Sequence, residues 1–245
     1  MHVTGASGFL GSELLRLEPA ATGERVEVRD AGAVSAMFQS LRPEVVIHTA
    51  YRQDGDGARE VVVDGSENVA RAAASVGARL IHVSSDVVFD GRKGSPYGED
   101  DALSPCTAYG RAKADAEARV RAAAPDALLV RTSLLLGGPG YAPSKHEVMA
   151  RDEAATFYED EIRSPVQVGD FAQALLELAR LDLSGSLNVA GVDDVSRTAL
   201  AEIVRRAPVR SSPAPPGRPL DCSLDSSRAR SLLTTRLRGV REVFA

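Results

Sequence analysis

A chain of 245 residues, 44% of them hydrophobic, can bury a sizeable core without cross-links, and its two cysteines, Cys106 and Cys222, lack any CxxC or Cys/His ligand spacing, which argues against a disulfide scaffold and structural zinc. A formal charge of -5 gives no broad attraction for nucleic acid or anionic lipid. No apolar run approaches the roughly 20 residues of a membrane helix and the opening residues carry no charged leader, so the expectation is a cytoplasmic protein with no metal, nucleic-acid or membrane partner.

In chain order, a short opening strand at Met1–Val3 runs into Thr4-Gly5-Ala6-Ser7-Gly8-Phe9-Leu10-Gly11 and a helix over Gly11–Leu17. Strands are expected at Arg25–Arg29, Glu44–His48, Leu80–Val83 and Leu128–Arg131. Helices are expected at Val34–Ser40, Val61–Val76, Tyr109–Ala123 and Asp170–Leu181, where apolar residues recur at three- and four-residue spacing. Such alternation is the pattern of βα units feeding a parallel sheet with right-handed crossovers. After Leu136 it gives way to Gly137-Gly138-Pro139-Gly140, a mixed stretch to Pro165 and a Pro-rich segment Pro208–Pro219. The fold expected is a Rossmann-type, doubly wound α/β sheet. Residues 1–136 form the nucleotide-binding domain, 164–190 return to it, and 137–163 with 191–245 make a small substrate lobe.

Glycines between a strand and a helix have a mechanical use. Gly5 permits a tight turn, Gly8 lets backbone amides approach a pyrophosphate, and Gly11 lets helix and sheet pack closely at the positive end of the helix dipole. The bland alternative is a plain strand-to-helix turn. Asp30, about twenty positions on, either holds an adenosine ribose or caps the helix that follows, and Arg29 beside it suits a 2′-phosphate, so NAD and NADP both stay open.

Tyr109 and Lys113 lie four apart at the start of a helix and therefore share a face. A phenol can give a proton to a carbonyl oxygen as hydride reaches carbon, and a neighbouring ammonium would stabilise the phenolate and lower the phenol's pKa. Ser85 ends the Leu80–Val83 strand at the edge where open α/β sheets place ligands, and its hydroxyl could orient the carbonyl. Taken singly, Ser85 is a cap and the Tyr/Lys pair a solvated face; together they make a reaction centre. Lys145 and His146 fit either a solvated loop or a diphosphate contact, and His48 and His82 read as core histidines.

Thr4–Gly11, Ser84-Ser85-Asp86-Val87-Val88-Phe89-Asp90-Gly91, Pro96-Tyr97-Gly98-Glu99-Asp100-Asp101, Tyr109–Lys113 with Glu117, Arg163–Asp170 and Arg218-Pro219 followed by Leu224–Ala229 are separated along nearly the whole chain. Jointly they resemble an extended short-chain dehydrogenase/reductase of the dTDP-4-dehydrorhamnose reductase-like branch. The resemblance implies NADP- or NAD-dependent reduction of a nucleotide-activated 4-keto-deoxysugar by a monomer or homodimer. It implies Tyr109 as acid, Lys113 as its partner and ribose anchor, and Ser85 as the carbonyl hydroxyl. Gly5, Ser7, Gly8, Phe9, Leu10, Gly11, Asp30, Thr49, Ala50 and Tyr51 would hold the cofactor. Asp86, Val88, Phe89, Arg163, Ser164 and Pro165 would border the sugar. An epimerase of the same superfamily or a non-catalytic nucleotide-binding subunit are the alternatives. A dehydratase is disfavoured because Asp86 is followed by Val87 and not by a glutamate.

Overall fold

The computed structural model describes residues 1–245. It opens with β1 (His2–Thr4), α1 (Phe9–Leu17), α2 (Ala31–Leu41), β2 (Val45–His48), α3 (Ala58–Val62), α4 (Asp64–Ser75), β3 (Arg79–Ser85), α5 (Ala108–Ala123) and β4 (Leu128–Thr132). There follow β5 (Leu135–Leu136), α6 (Lys145–Arg151), β6 (Thr156–Tyr158), β7 (Ile162–Arg163), β8 (Val166–Gln167), α7 (Val168–Leu178) and β9 (Gly185–Asn188). The chain closes with β10 (Val195–Ser196), α8 (Arg197–Arg205), β11 (Arg210–Ser212), α9 (Ser227–Leu232) and α10 (Val240–Val243).

Five strands form one wholly parallel sheet in the order β1-β2-β3-β4-β9. Successive residues of a strand face opposite ways, so Ile47, Ile81, Leu128 and Val130 pack with Leu14 of α1 and Phe171 of α7, whereas Val46, Leu80 and Leu129 pack with Phe38 of α2, Val69 of α4 and Val120 of α5. Helices thus cover both faces, and both are dry. The remaining strands pair in twos, β5 with β8, β6 with β11 and β7 with β10, beyond the sheet's carboxyl edge.

The expected strand at Arg25–Arg29 does not form. Its place beside β1 is taken by Thr22 alone, which bridges His2 and exchanges backbone bonds with Met1 and Val3 at 3.0 and 2.8 Å. Too few residues separate Leu17 from α2 for a strand and its turns, and the local chemistry favours a coil. Glu27 folds back onto Arg29, the Val28 carbonyl accepts from the Asn68 side chain at 3.0 Å, and Asp30 turns into α2. β1 is consequently the edge of the sheet. The helix expected over Val61–Val76 starts earlier and is broken at Val63 into α3 and α4.

Candidate active site

All five parallel strands point their carboxyl ends at one edge, and the loops leaving β1, β2, β3 and β4 meet there. They enclose a cavity of about 610 Å³ lined by Gly8–Gly11, Thr49, Tyr51, Ser85, Asp86, Tyr109, Lys113, Thr132, Ser133 and, from the opposite side, Pro143–His146. Ser85, Tyr109 and Lys113 therefore reach one space from two different elements. A second hollow of about 340 Å³ adjoins it and shares Gly8, Thr49 and Tyr51. Gly5, Ser7, Ala50, Glu24, Arg25 and Glu27 complete its walls.

The glycine loop is built as its residues require. Gly5 has φ +73°, and a Cβ there would sit 2.7 Å from the Ala50 nitrogen; Thr49 anchors this close approach by donating to the Thr4 carbonyl at 2.8 Å. Gly8 caps α1 with no side chain, so the leading amides of the helix remain free for an anion. A Cβ on Gly11 would lie 2.2 Å from the Gly5 carbonyl oxygen. A backbone cradle of this kind, opening onto two adjoining hollows, fits the pyrophosphate of a dinucleotide with its two nucleosides on either side.

Thr107 starts α5 by accepting from the Gly110 amide at 3.0 Å, which fixes the register of the helix and hence the faces of Tyr109 and Lys113. Lys113 is buried and donates to the Val83 carbonyl at 2.9 Å; burial lowers its pKa to about 8. The Tyr109 ring lies 6.2 Å from that of Tyr51, over which the Lys113 ammonium sits at 5.8 Å. Burial, with Tyr51 and Asp86 adding to it, pushes the Tyr109 phenol above its ordinary value. The phenol's pKa is thus raised, not lowered as the sequence suggested, and the Lys113 ammonium is engaged with the Val83 carbonyl. A phenol so held stays protonated.

The Ser85 hydroxyl donates to Asp86 at 3.1 Å. Asp86 is buried against the Ser133 hydroxyl at 2.6 Å and the Arg163 guanidinium at 3.6 Å, and desolvation raises its pKa despite both. Several other expected site residues lie elsewhere. Asp30 lines neither hollow; its carboxylate accepts from the Ala33 amide at 3.0 Å as the cap of α2, so the ribose role gives way to the capping one. Val88 and Phe89 do not border the cavity, because both are fully buried with Cys222 and Leu224, and Phe89 stacks on Tyr97 at 4.0 Å. Arg163, Ser164 and Pro165 do not face it either. The Arg163 guanidinium spans the Ile162, Pro219 and Leu220 carbonyls, and Ser164 donates to Asp194 at 2.5 Å, so this turn ties the segments around Leu220 and Asp194 together from inside.

Conversely, Thr132, Ser133, Lys145 and His146 line the cavity, although sequence reading gave the first two no role and left the others open between a solvated loop and a diphosphate contact. A signal was present for the second pair. Ser144 and Glu147 form a reciprocal capping box, with the Ser144 amide 2.7 Å from the Glu147 carboxylate, and that carboxylate also takes the Gly137 and Gly138 amides at 2.7 and 3.1 Å. The glycine turn and the first turn of α6 are thereby tied together, which brings Lys145 and His146 over the cavity, where Lys145 donates to Gln53. No group of three or more His, Cys, Asp or Glu side chains is arranged to hold a metal ion, and no helix is long and apolar enough to cross a membrane.

The family model for the RmlD substrate binding domain matches residues 1–243. The chain belongs to this family. It is 36% identical over 224 residues to dTDP-4-dehydrorhamnose reductase of Mycobacterium tuberculosis, covering 82% of this chain and 73% of that one. The counterpart from Mycolicibacterium smegmatis is 33% identical, with 99% and 83% covered. The crystal structure of dTDP-4-dehydrorhamnose reductase from Bacillus anthracis in complex with NADP superposes with a TM-score of 0.87 at 25% identity, over 99% of this chain and 96% of that chain.

Proposed function

We propose that the protein is an NAD(P)H-dependent reductase of a nucleotide-activated 4-keto-deoxysugar, with Tyr109, Lys113 and Ser85 at the reaction centre. The carrying observation is that these three side chains border one cavity at the sheet's carboxyl edge, continuous with the hollow of the glycine loop, in a member of the RmlD family. The names of its relatives, and the NADP bound by the Bacillus anthracis enzyme, support the same reading.

On this reading the nicotinamide cofactor supplies hydride to the carbonyl carbon. Gly8 and the first turn of α1 bind its pyrophosphate, and the 340 Å³ hollow takes the adenosine. Ser85 turns its single hydroxyl proton from Asp86 to the substrate carbonyl and so orients it. Tyr109 gives its proton to the developing alkoxide, and the buried ammonium of Lys113 steadies the phenolate left behind. The segments 137–163 and 191–245 form the lobe that closes over the sugar.

The reading is tested by following NADPH absorbance on addition of dTDP-4-dehydrorhamnose. Stoichiometric oxidation is the expected result; turnover of the sugar with no net loss of NADPH identifies an epimerase, and no turnover of any 4-keto nucleotide sugar defeats the proposal. The loop is tested separately. Gly11→Ala should weaken NADPH binding about fivefold or more, because separating its Cβ from the Gly5 carbonyl shifts the cradle at a cost of about 1–3 kcal/mol; fluorescence titration showing wild-type affinity would place the pyrophosphate elsewhere.

A further inference from the structure

Lys145 and His146 of α6 line the cavity, and behind His146 stands a further cation from α8. Arg197, the first residue of α8, is half-buried and makes no salt bridge; the side-chain partner of its guanidinium is His146 Nδ1 at 3.3 Å. The carboxylates deeper in this region are already taken. Asp86 is held by Ser133 and Arg163, and Glu161 by Arg218 at 2.5 Å with Arg163 at 3.9 Å. Burial lowers the Arg197 pKa to about 10, with Arg163 and Arg218 adding to it; Glu161 and Asp86 act in the opposite sense, but both are engaged by other partners, so this guanidinium has no carboxylate of its own within salt-bridge distance. A cation taken from water without a counter-charge is costly, which points to a missing anionic partner.

His146 transmits the arrangement to the cavity. A guanidinium can only donate, so Nδ1 of His146 accepts, and the neutral ring therefore carries its hydrogen on Nε2. Burial, with Arg197, Lys145 and Arg163 all adding to it, keeps the imidazole neutral well below its ordinary pKa. The ring is thus a fixed N–H donor. Lys145 stands beside it on the cavity wall, its ammonium on the Gln53 side-chain oxygen, with Asp54 the carboxylate that bears on it. One imidazole N–H, one ammonium and one guanidinium behind them form a donor-only surface matched to phosphate oxygens.

We propose that Arg197, His146 and Lys145 form an anion subsite that takes the diphosphate bridge of a nucleotide-sugar substrate. The proposal rests on the function given above for the identity of the ligand, and it assigns the lobe's own residues to the phosphates, leaving Tyr109 and Ser85 to the sugar.

Calorimetric titration of wild type, Arg197→Gln and Lys145→Gln with dTDP, thymidine, inorganic pyrophosphate and NADPH tests it. Lys145 is exposed, so its variant folds whatever becomes of Arg197→Gln, and Arg197→Lys is the charge-preserving control. The expected result is at least a tenfold loss of dTDP affinity in Arg197→Gln and about fivefold in Lys145→Gln, partial recovery in Arg197→Lys, and NADPH affinity within twofold throughout. Affinities for dTDP and pyrophosphate that agree within twofold across all variants overturn the subsite, as does a wild type that binds neither. Wild-type binding of pyrophosphate but not dTDP, lost in Arg197→Gln, upholds the anion site and removes the nucleotide sugar as its ligand.

Discussion

Replacing Tyr109 by phenylalanine should lower kcat for the reduction by about 10²–10⁴-fold while leaving NADPH affinity and melting temperature near those of the parent, because the ring and its packing stay and only the transferable proton is lost. Single-turnover kinetics with saturating NADPH give the measurement, and a kcat within threefold of the parent would remove Tyr109 from the role of acid. The same chemistry sets the pH dependence. Burial has lowered Lys113 from the ordinary lysine value to about 8, so the ammonium is present below that pH and is lost as pH rises through it. Reduction should therefore decline above about pH 8, long before the buried phenol of Tyr109 ionises. A Lys113→Met variant should be slow at every pH and lack the step.

The largest effect on stability is expected from Arg131→Ala. Arg131 lies in the middle of the site's scaffold, on β4, and meets Glu117 of α5 through two hydrogen bonds of 3.0 and 2.9 Å, with both side chains almost wholly buried. It also donates to the Glu99 carbonyl at 3.0 Å and lies 5.3 Å from the Phe89 ring centre. Removing the guanidinium leaves the buried Glu117 carboxylate with only the part-exposed Arg121 at 3.5 Å, a change that costs about 3–5 kcal/mol. A fall of about 10 °C in Tm by calorimetry is the corresponding result for a chain of this size; a Tm within 2 °C of the parent would mean that Glu117 finds water or another donor. Since Glu117 follows Lys113 by one helical turn, loss of this pair should also loosen the face of α5 that carries the reaction centre.

Much of this was readable from the chain. The strands flanking the site show as short apolar runs because both faces of the sheet are covered, the helices show apolar residues recurring at three and four positions, and the glycine loop declares its turns through residues that tolerate them. Tyr109 and Lys113 were legible for the same reason: helix geometry alone puts residues four apart on one face, and the Thr107 cap fixes where that helix begins. Other features were less accessible. Val26 and Val28 gave Arg25–Arg29 the look of a strand, yet a strand needs a partner edge and a return path, and neither is encoded within a segment. The family resemblance put Val88 and Phe89 beside the sugar together with Asp86. A short 3₁₀ turn at Asp86–Val88 turns the chain inward instead and sends both side chains into the core. Arg163 was expected beside the sugar, but a guanidinium that binds three carbonyls looks the same in sequence as one that binds a sugar.

The edge position of β1 has a consequence for how selectivity can change over generations. Glu24, Arg25 and Glu27, three of the four charged residues bordering the smaller hollow, are solvent-exposed and hang on an unpaired coil instead of a ladder of interstrand bonds. Exchanges at such positions usually alter stability by less than about 0.5 kcal/mol. Discrimination between a free and a phosphorylated ribose can therefore drift by mutation, insertion or deletion in this strip, while the interior that supports the chemistry goes on undisturbed.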